Sequence, residues 1–207
     1  MNTLERRLAG SAHPDDPARP ADPAVDRLRA TLIRRAQEQD LLDVAYRAVD
    51  TPVGRLLVAA TPLGLVRVAY AREDHDAVLT ALAERISPRV LLAPAKLDDA
   101  ARQLDDYFTG RRHGFDLPLD LRLARGFRRS VLEHLPGIGY GRTVSYADLA
   151  AEVGSPRAVR AVGTACATNP LPLVLPCHRV VRRDGTPGRY VGGPEVKRRL
   201  LDLEHTP

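Results

Sequence analysis

The chain is poor in residues that mark several large classes of protein. It has no tryptophan, two cysteines and one methionine, and aromatic residues make up 4% of its 207 residues. Two cysteines cannot form a disulfide framework or a four-cysteine zinc site, and few aromatics disfavour a stacking platform for long single strands. No apolar run approaches the ~20 residues that cross a bilayer, and no signal peptide opens the chain. We therefore expect a cytoplasmic protein that binds no membrane.

Charge is distributed unevenly along the chain. Residues 121–207 hold 14 Lys and Arg against 7 Asp and Glu, a net of +7, whereas residues 1–120 hold 17 against 19, a net of −2. A basic part carried by a near-neutral one indicates a polyanionic partner. The alternative, which charge alone leaves open, is that the arginines cover ordinary solvated surfaces.

Residues 1–42 carry no evident chemistry. Residues 10–24 contain four prolines and three aspartates and no large apolar side chain, which indicates a flexible tail. Residues 25–39 place apolar side chains on one helical stripe, which predicts a helix docked on the body. The stripe consists of Val25, Leu28, Leu32 and Ala36. Contact with DNA through the arginines of this helix is the alternative.

Residues 43–117 are predicted to form a small α/β domain. Three runs with a period of two are separated by Pro- and Gly-containing turns, which favours an antiparallel meander. A helix, a short strand and a helix that ends at Gly110 follow. The predicted strands are 43–50, 55–61, 65–71 and 89–94, and the predicted helices are 74–87 and 97–110.

Residues 118–207 are predicted to form a mostly helical domain. After a first helix, Ser145 is expected to cap a second that stops at Gly154. Ser155 and Pro156 are expected to begin a third helix, because proline is favoured at the first helical position. The tight turn between the last two favours a helix-turn-helix, and an ordinary helical hairpin is the alternative.

The third helix has few side chains that could read a DNA sequence. Its exposed candidates are Ala, Gly and Thr together with Arg157 and Arg160, and it has no Asn, Gln or acid for base edges in the major groove. Small residues permit a close approach, and arginines hold phosphates or insert into DNA. Any DNA binding should show little sequence preference, which suits repair better than regulation.

A cysteine and a histidine stand together after a proline-rich segment. Three prolines within residues 170–176 exclude a regular strand and deliver Cys177 and His178 against a basic run. That run consists of Arg179, Arg182 and Arg183. A histidine base and a positive field would activate the thiol, whereas inert packing, which Cys166 illustrates, is the alternative. Glu204 is either a solvated acid or the group that orients His178.

The residues around Cys177 resemble the active-site signature of the O6-alkylguanine-DNA alkyltransferases. The core of the signature is Pro-Cys-His-Arg-Val, preceded by an Asn-Pro and followed by Gly-Arg-Tyr-Val-Gly-Gly and Leu-Leu-x-x-Glu. Tyr-Gly-Arg-Thr-Val-Ser-Tyr, ending at Tyr146, and Arg-Ala-Val-Arg-Ala-Val-Gly, starting at Arg157, also match. The resemblance runs from about Asp43 to Glu204.

The resemblance implies both a fold and an activity. Members of this family have a ribonuclease H-like α/β domain followed by a helical domain with a helix-turn-helix. They bind double-stranded DNA through the minor groove, flip out O6-alkylguanine and move its alkyl group irreversibly to a cysteine, with a single turnover. We accordingly expect a monomer that needs no cofactor and no metal. A lesion-flagging protein without transfer and a Cys-His-Glu hydrolase are the competing readings.

The resemblance also assigns roles to individual residues. Cys177 accepts the alkyl group, His178 takes its proton through a water, and Glu204 orients His178. Asn169 braces the turn that carries the cysteine, and Tyr146 donates to the flipped guanine.

Other residues are assigned to the DNA and to the base pocket. Arg160 fills the gap left in the base stack. The full DNA-binding set is Arg160, Arg157, Ala161, Thr164 and Ser145. The pocket set is Tyr146, Pro172, Val180, Tyr190, Val191, Gly192 and Gly193.

The sequence departs from the usual pattern of the family at four positions. Arg128 and Leu132 stand where the family usually has Gln and Trp, and Arg189 precedes Tyr190 where Gly or Asn is common. Val191 replaces a small or polar residue of the pocket. The Trp is a packing residue, so we expect compensated packing around Leu132.

Overall fold

The computed structural model describes residues 42–205 and, before them, Ala24, Val25, Arg27, Leu28, Thr31 and Arg35. The chain divides into two compact units, Met1–Gln39 and Asp40–Pro207. The described residues of the first unit are helical, and Val25 and Leu28 of the predicted stripe are exposed. Residues 10–23 of the predicted tail, Leu32 and Ala36 lie outside the described residues, so the flexible tail and the docked helix stay predictions.

A four-stranded sheet organises residues 42–117, which we call the sheet region. Its strands are β1 (Val44–Val49), β2 (Leu56–Thr61), β3 (Gly64–Tyr70) and β4 (Val90–Leu92), in the order β3-β2-β1-β4. The antiparallel pairs β1–β2 and β2–β3 confirm the predicted meander, and β4 pairs with β1 in parallel. β3 and β4 therefore run in the same direction, which requires a crossover between them.

Helix α1 (His75–Arg85) makes that crossover and covers one face of the sheet. Val78 and Leu82 of this helix share a core with Leu57 of β2. Helix α2 (Asp98–Phe108) follows β4, buries Leu104 and Tyr107, and ends before Gly110. Gly110 has φ 73°, a left-handed conformation that glycine adopts without steric cost.

Residues 118–205, the helical region, contain four α-helices, three short 3-10 helices and a small parallel ladder. The helices are α3 (Gly126–His134), α4 (Tyr146–Glu152), α5 (Val159–Ala167) and α6 (Pro194–His205), and the ladder joins β5 (Val144–Ser145) to β6 (Val180–Val181). Ser145 caps α4 as predicted, because its Oγ accepts from the N–H of Asp148. No helix within residues 42–205 is long and apolar enough to cross a membrane.

The expectation that Ser155 and Pro156 begin the next helix is wrong. Helix α5 starts at Val159, and Ala158 occupies the N-cap position. The N–H of Ala158 donates to the carbonyl of Ser155 over 2.8 Å, which closes a four-residue turn. Proline is favoured at the second position of such a turn as well as at a helix start, so Pro156 by itself does not distinguish the two. Whether α4 and α5 act as a helix-turn-helix stays a prediction.

The edge strand of the sheet holds the start of the cysteine-bearing segment. The carbonyl of Pro170 accepts from the backbone N–H of Val68 at 2.8 Å and from Nη1 of Arg67 at 3.2 Å. Because β3 is an edge strand, its outer N–H groups are available to a segment from the helical region. The sheet region thus positions the site by direct hydrogen bonds.

Candidate active site

Residues 169–177, which we call the reactive turn, connect α5 to Cys177. They contain no strand, as the three prolines predict. The N–H of Leu175 donates to the carbonyl of Leu171 at 2.8 Å, and the N–H of Cys177 donates to that of Leu175 at 2.7 Å. Leu173 has φ 74°, a left-handed conformation that costs an L-residue about 1 kcal/mol. Contacts around the turn must offset that cost.

Asn169 supplies those contacts with one buried side chain. Its Nδ2 donates to the carbonyl of Leu175 at 2.9 Å, and its Oδ1 accepts from the N–H of Leu171 at 2.9 Å. The same Nδ2 lies 3.1 Å from Sγ of Cys177. Asn169 therefore fixes the turn internally and places a donor on the sulfur, where it favours the thiolate.

Cys177 is buried and mainly protonated at neutral pH. Burial raises the pKa of its thiol to about 11, against the donor from Asn169 and the charge of Lys197. Arg179, the first arginine of the basic run, donates to Glu204 and not to the sulfur. The positive charge that lowers the pKa of Cys177 is that of Lys197. A thiol of this kind needs a base to remove its proton when it reacts.

His178, the next residue along the chain, is the candidate for that base. Its imidazole is fully buried, and Nε2 lies 2.8 Å from Oε1 of Glu204. Burial lowers the pKa of His178, the carboxylate of Glu204 raises it, and the charges of Arg179 and Lys197 lower it again. The ring is neutral at pH 7, and Nε2–H donates to Glu204. Nδ1 has no hydrogen-bond partner among the described residues, so its lone pair is available for a proton.

Glu204 lies near the end of α6 and is buried rather than solvated. Besides His178, its carboxylate accepts from Nε and Nη2 of Arg179, each at 2.9 Å, and from Oη of Tyr107 at 2.7 Å. The N–H of Gly141 adds a fourth donor group at 3.2 Å. Burial alone would raise the pKa of Glu204, but the hydrogen bonds from His178, Arg179 and Tyr107 lower it to about 2. Glu204 is thus an anion behind the histidine at neutral pH.

The sequence did not indicate that Tyr107 and Lys197 belong to the site, or that Arg179 pairs with Glu204. Lys197 is fully buried, donates from Nζ to the carbonyl of Val180 at 2.5 Å and lies 5.7 Å from the centre of the Tyr146 ring. A signal for Lys197 existed, because it lies three and seven residues before Leu200 and Glu204 on α6 and so shares their helix face. No sequence signal connects Tyr107 to the site, since it precedes Glu204 by 97 positions.

Tyr146 begins α4 and faces the loop of residues 188–193. Its ring is so close to Gly188 that a Cβ there would overlap the phenol oxygen. Burial raises the pKa of Tyr146 to about 12, so the phenol keeps its proton at neutral pH. The phenol can therefore donate a hydrogen bond, and its donation to a flipped guanine stays a prediction.

The sheet region supports the loop that was assigned to the base pocket. Oη of Tyr70, at the end of β3, lies 2.8 Å from Oη of Tyr190. A Cβ on Gly192 would come within 2.8 Å of the Tyr70 ring, so only glycine permits this approach. Pro172, Val180, Gly192 and Gly193 are buried like Tyr190, and Val191 is half-buried.

Four of the five residues assigned to DNA lie on the exposed part of α5 and of the turn before it. Arg157, in the turn, and Arg160, Ala161 and Thr164, on α5, are all exposed. Ser145 is half-buried, and its hydroxyl is engaged with Asp148 at the start of α4. Its contribution to DNA binding stays a prediction.

The four departures from the family pattern fall in different places. Leu132 is fully buried in α3, as expected of a packing position. Arg128 donates to the carbonyl of Leu123 and lines a cavity of about 440 Å³ that also touches Val191. Arg189 is exposed.

Two protein-family models match the chain. Residues 126–206 match the 6-O-methylguanine DNA methyltransferase DNA binding domain, and residues 44–121 match the ribonuclease-like domain of the same proteins. The constitutive methylated-DNA–protein-cysteine methyltransferase of Bacillus subtilis is 38% identical over 160 residues, 77% of this chain and 94% of that protein. The methyltransferase of Methanosarcina barkeri is 35% identical over 159 residues, 77% of this chain and 96% of its own.

Solved structures agree with these matches. The O6-methylguanine methyltransferase of Mycobacterium tuberculosis is 36% identical with a TM-score of 0.70, over 79% of this chain and 93% of that one. The same protein solved in complex with DNA has a TM-score of 0.68 at 34% identity, over 78% and 93% of the two chains. The chain belongs to the methylated-DNA–protein-cysteine methyltransferase family. The α/β fold followed by a helical DNA-binding region is therefore confirmed, whereas the domain boundaries at 42 and 117 stay predictions.

Proposed function

We propose that this protein repairs DNA by moving the alkyl group of O6-alkylguanine onto Cys177, once per molecule. As a member of its family it is a DNA repair enzyme that transfers an alkyl group to a cysteine of its own. The observation that selects Cys177 is the buried thiol held by Asn169, next to a histidine that is bonded to an ionised carboxylate. Cys166 is also buried, but on α5 without such a pair.

The proposed transfer is a direct displacement at the alkyl carbon. The bond from Sγ of Cys177 to that carbon forms while the bond from the carbon to O6 of guanine breaks. The thiol proton passes through a water molecule to Nδ1 of His178, while the proton on Nε2 stays on the ring and remains hydrogen-bonded to Glu204. Tyr146 donates its phenolic proton to the departing guanine and recovers one from the relay. The products are a thioether and an unmodified guanine, and water does not hydrolyse a thioether.

The proposed DNA complex places α5 at the minor groove of a duplex. Its exposed Ala161 and Thr164 permit close approach, and Arg157 and Arg160 are exposed cations beside them. Flipping the damaged base costs a few kcal/mol of unstacking, which Arg160 offsets by filling the gap. Duplex binding by one monomer is expected to depend on salt and little on sequence.

Mass spectrometry of the reacted protein tests the assignment. After incubation with a duplex containing one O6-methylguanine, the intact protein should gain one methyl group, and the peptide with Cys177 should carry it. Excess lesion DNA should produce no second addition, and unmodified duplex should produce none. A lesion-flagging protein would bind the DNA with its thiol unchanged, and a hydrolase would turn over with Cys177 free, so either result would contradict the proposal.

Arg160→Ala is expected to slow repair in duplex DNA more than in single strands, because only a duplex has a stack to fill. The second-order rate on O6-methylguanine duplex and on the matching single strand gives the two effects separately. Arg183→Ala, which removes an exposed arginine outside α5, is the matched control for loss of charge. An equal loss on both substrates would show that Arg160 acts as a general phosphate contact. A preference for one duplex sequence larger than the preference for the lesion would contradict the binding mode.

A further inference from the structure

One hydrogen-bond donor of the site comes from the sheet region rather than from the helical region. Tyr107 belongs to α2, its side chain is fully buried, and its Oη donates to Oε1 of Glu204 at 2.7 Å. The other side chains on this carboxylate, His178 and Arg179, are supplied by the segment that carries Cys177.

An aromatic cluster fixes the Tyr107 ring. The ring centre lies 5.3 Å from those of Phe108 and Phe115, and 6.3 Å from that of Tyr140. The contacts with Phe108 and Tyr140 are edge-to-face and that with Phe115 is tilted, and such ring pairs add stabilisation beyond burial alone. The phenol of Tyr107 is therefore a donor in a set position, and Glu204 must meet it there.

Tyr107 and His178 share the same carboxylate oxygen. Oε1 of Glu204 accepts from Oη of Tyr107, from Nε2 of His178 at 2.8 Å and from Nη2 of Arg179 at 2.9 Å. When several donors share one acceptor oxygen, each hydrogen bond is weaker than it would be if that donor were alone. The phenol of Tyr107 therefore weakens the pull of Glu204 on the Nε2 proton of His178.

We propose that Tyr107 is a positioning residue for alkyl transfer, which fixes Glu204 and sets the strength of the hydrogen bond between Glu204 and His178. This inference rests on the proposed function of Cys177. It gives the sheet region a defined part in the chemistry, beyond holding the reactive turn. Tyr107 touches neither the alkyl group nor the thiol, and it acts through Glu204.

The charged and titratable groups that face the relay come from five parts of the chain. Glu204 faces His178 and Arg179 from the segment after the reactive turn, and Tyr107 from α2; Tyr140 lies near it. His178 faces Glu204 and Lys197 from α6, its neighbour Arg179, and the ring of Tyr190 at 6.3 Å. Loss of the Tyr107 donor leaves all of these in place, so Glu204 should attract the His178 proton more strongly.

The test is the pH dependence of transfer by Tyr107→Phe, with Tyr140→Phe as the matched control. Only neutral His178 can accept the thiol proton, so the rate falls at low pH as the imidazole becomes protonated. A stronger bond to Glu204 raises the pKa of His178, which should move this acid limb upward by about half a pH unit. Tyr140 belongs to the same cluster, but its Oη donates to the carbonyl of Leu203 at 3.2 Å, so its variant should keep the wild-type limb.

A substrate-free measurement separates this inference from the proposed function. In Tyr107→Phe the proton NMR signal of His178 Nε2–H should move downfield, since the hydrogen bond to Glu204 shortens. Folding of both variants is checked by circular dichroism and thermal unfolding. An unchanged acid limb and an unchanged Nε2–H signal in a folded Tyr107→Phe protein would overturn the positioning role, as would equal shifts in Tyr140→Phe. Failure of the wild-type protein to methylate Cys177 would overturn the proposed function instead.

Discussion

Replacing Cys177 with serine is expected to abolish alkyl transfer while DNA binding persists. The thiol has a pKa of about 11 in its buried setting, and Asn169 donates to the sulfur at 3.1 Å. A serine hydroxyl is far harder to ionise than a thiol in the same place, and the hydroxyl is a weaker nucleophile. The His178–Glu204 pair cannot make up that difference. Intact-protein mass spectrometry with methylated duplex measures transfer, and fluorescence anisotropy with the same duplex measures binding.

Cys166→Ser is the matched control for Cys177→Ser. Cys166 is 1% exposed, so the substitution replaces an equally buried thiol with a hydroxyl. Burial raises its pKa well above the ordinary value, without a hydrogen-bonded side chain to oppose the shift. The Cys166→Ser protein should still accept one methyl group. An alkyl group found on Cys166, or transfer by Cys177→Ser, would contradict the assignment of the acceptor.

Glu204→Gln is expected to lower both stability and the rate of transfer. The substitution removes the negative charge that faces Arg179. It also replaces one acceptor oxygen with an NH₂ group, although Tyr107, His178 and Arg179 all donate to this carboxylate. Leaving a buried charge without its partner costs roughly 3–5 kcal/mol of unfolding free energy. The loss of the anion behind His178 should slow transfer by roughly 100-fold, since the imidazolium formed in the reaction is no longer stabilised. Chemical denaturation and the second-order rate on methylated duplex measure the two effects.

Glu195→Gln, an exposed change on the first turn of α6, is the control for Glu204→Gln. It should preserve rate and stability within the error of either assay.

The stability difference between wild type and Glu204→Gln should also depend on pH. The pKa of Glu204 is lowered from 4.5 to about 2, so its contribution is complete above pH 4.5 and is lost as the pH falls toward 2. A difference that stays constant across that interval would show that Glu204 does not act through its charge.

Periodicity and turn residues predicted most of the elements. Periodicity and turn residues located the four strands and two helices of the sheet region, because those patterns reflect burial on one face. The error at Ser155 and Pro156 has a local cause, since the same dipeptide fits a turn and a helix start. Packing of α5 against α3 and α4 decides between them, and that packing is not visible in the dipeptide.

The sequence by itself determined that Cys177 lies in a stiff, proline-rich segment beside a histidine, and the motif around it indicated the family. Its neighbours in space were decided by the tertiary structure. Tyr107 reaches Glu204 from α2, the buried Lys197 places its Nζ over the Tyr146 ring, and Tyr70 contacts Tyr190 from the edge of the sheet. Contacts of this range depend on how α2, β3 and α6 pack together, and a local pattern carries no information about that packing. The ionisation of Cys177, His178 and Glu204 follows from those contacts and from burial, so it too was settled by the folded chain.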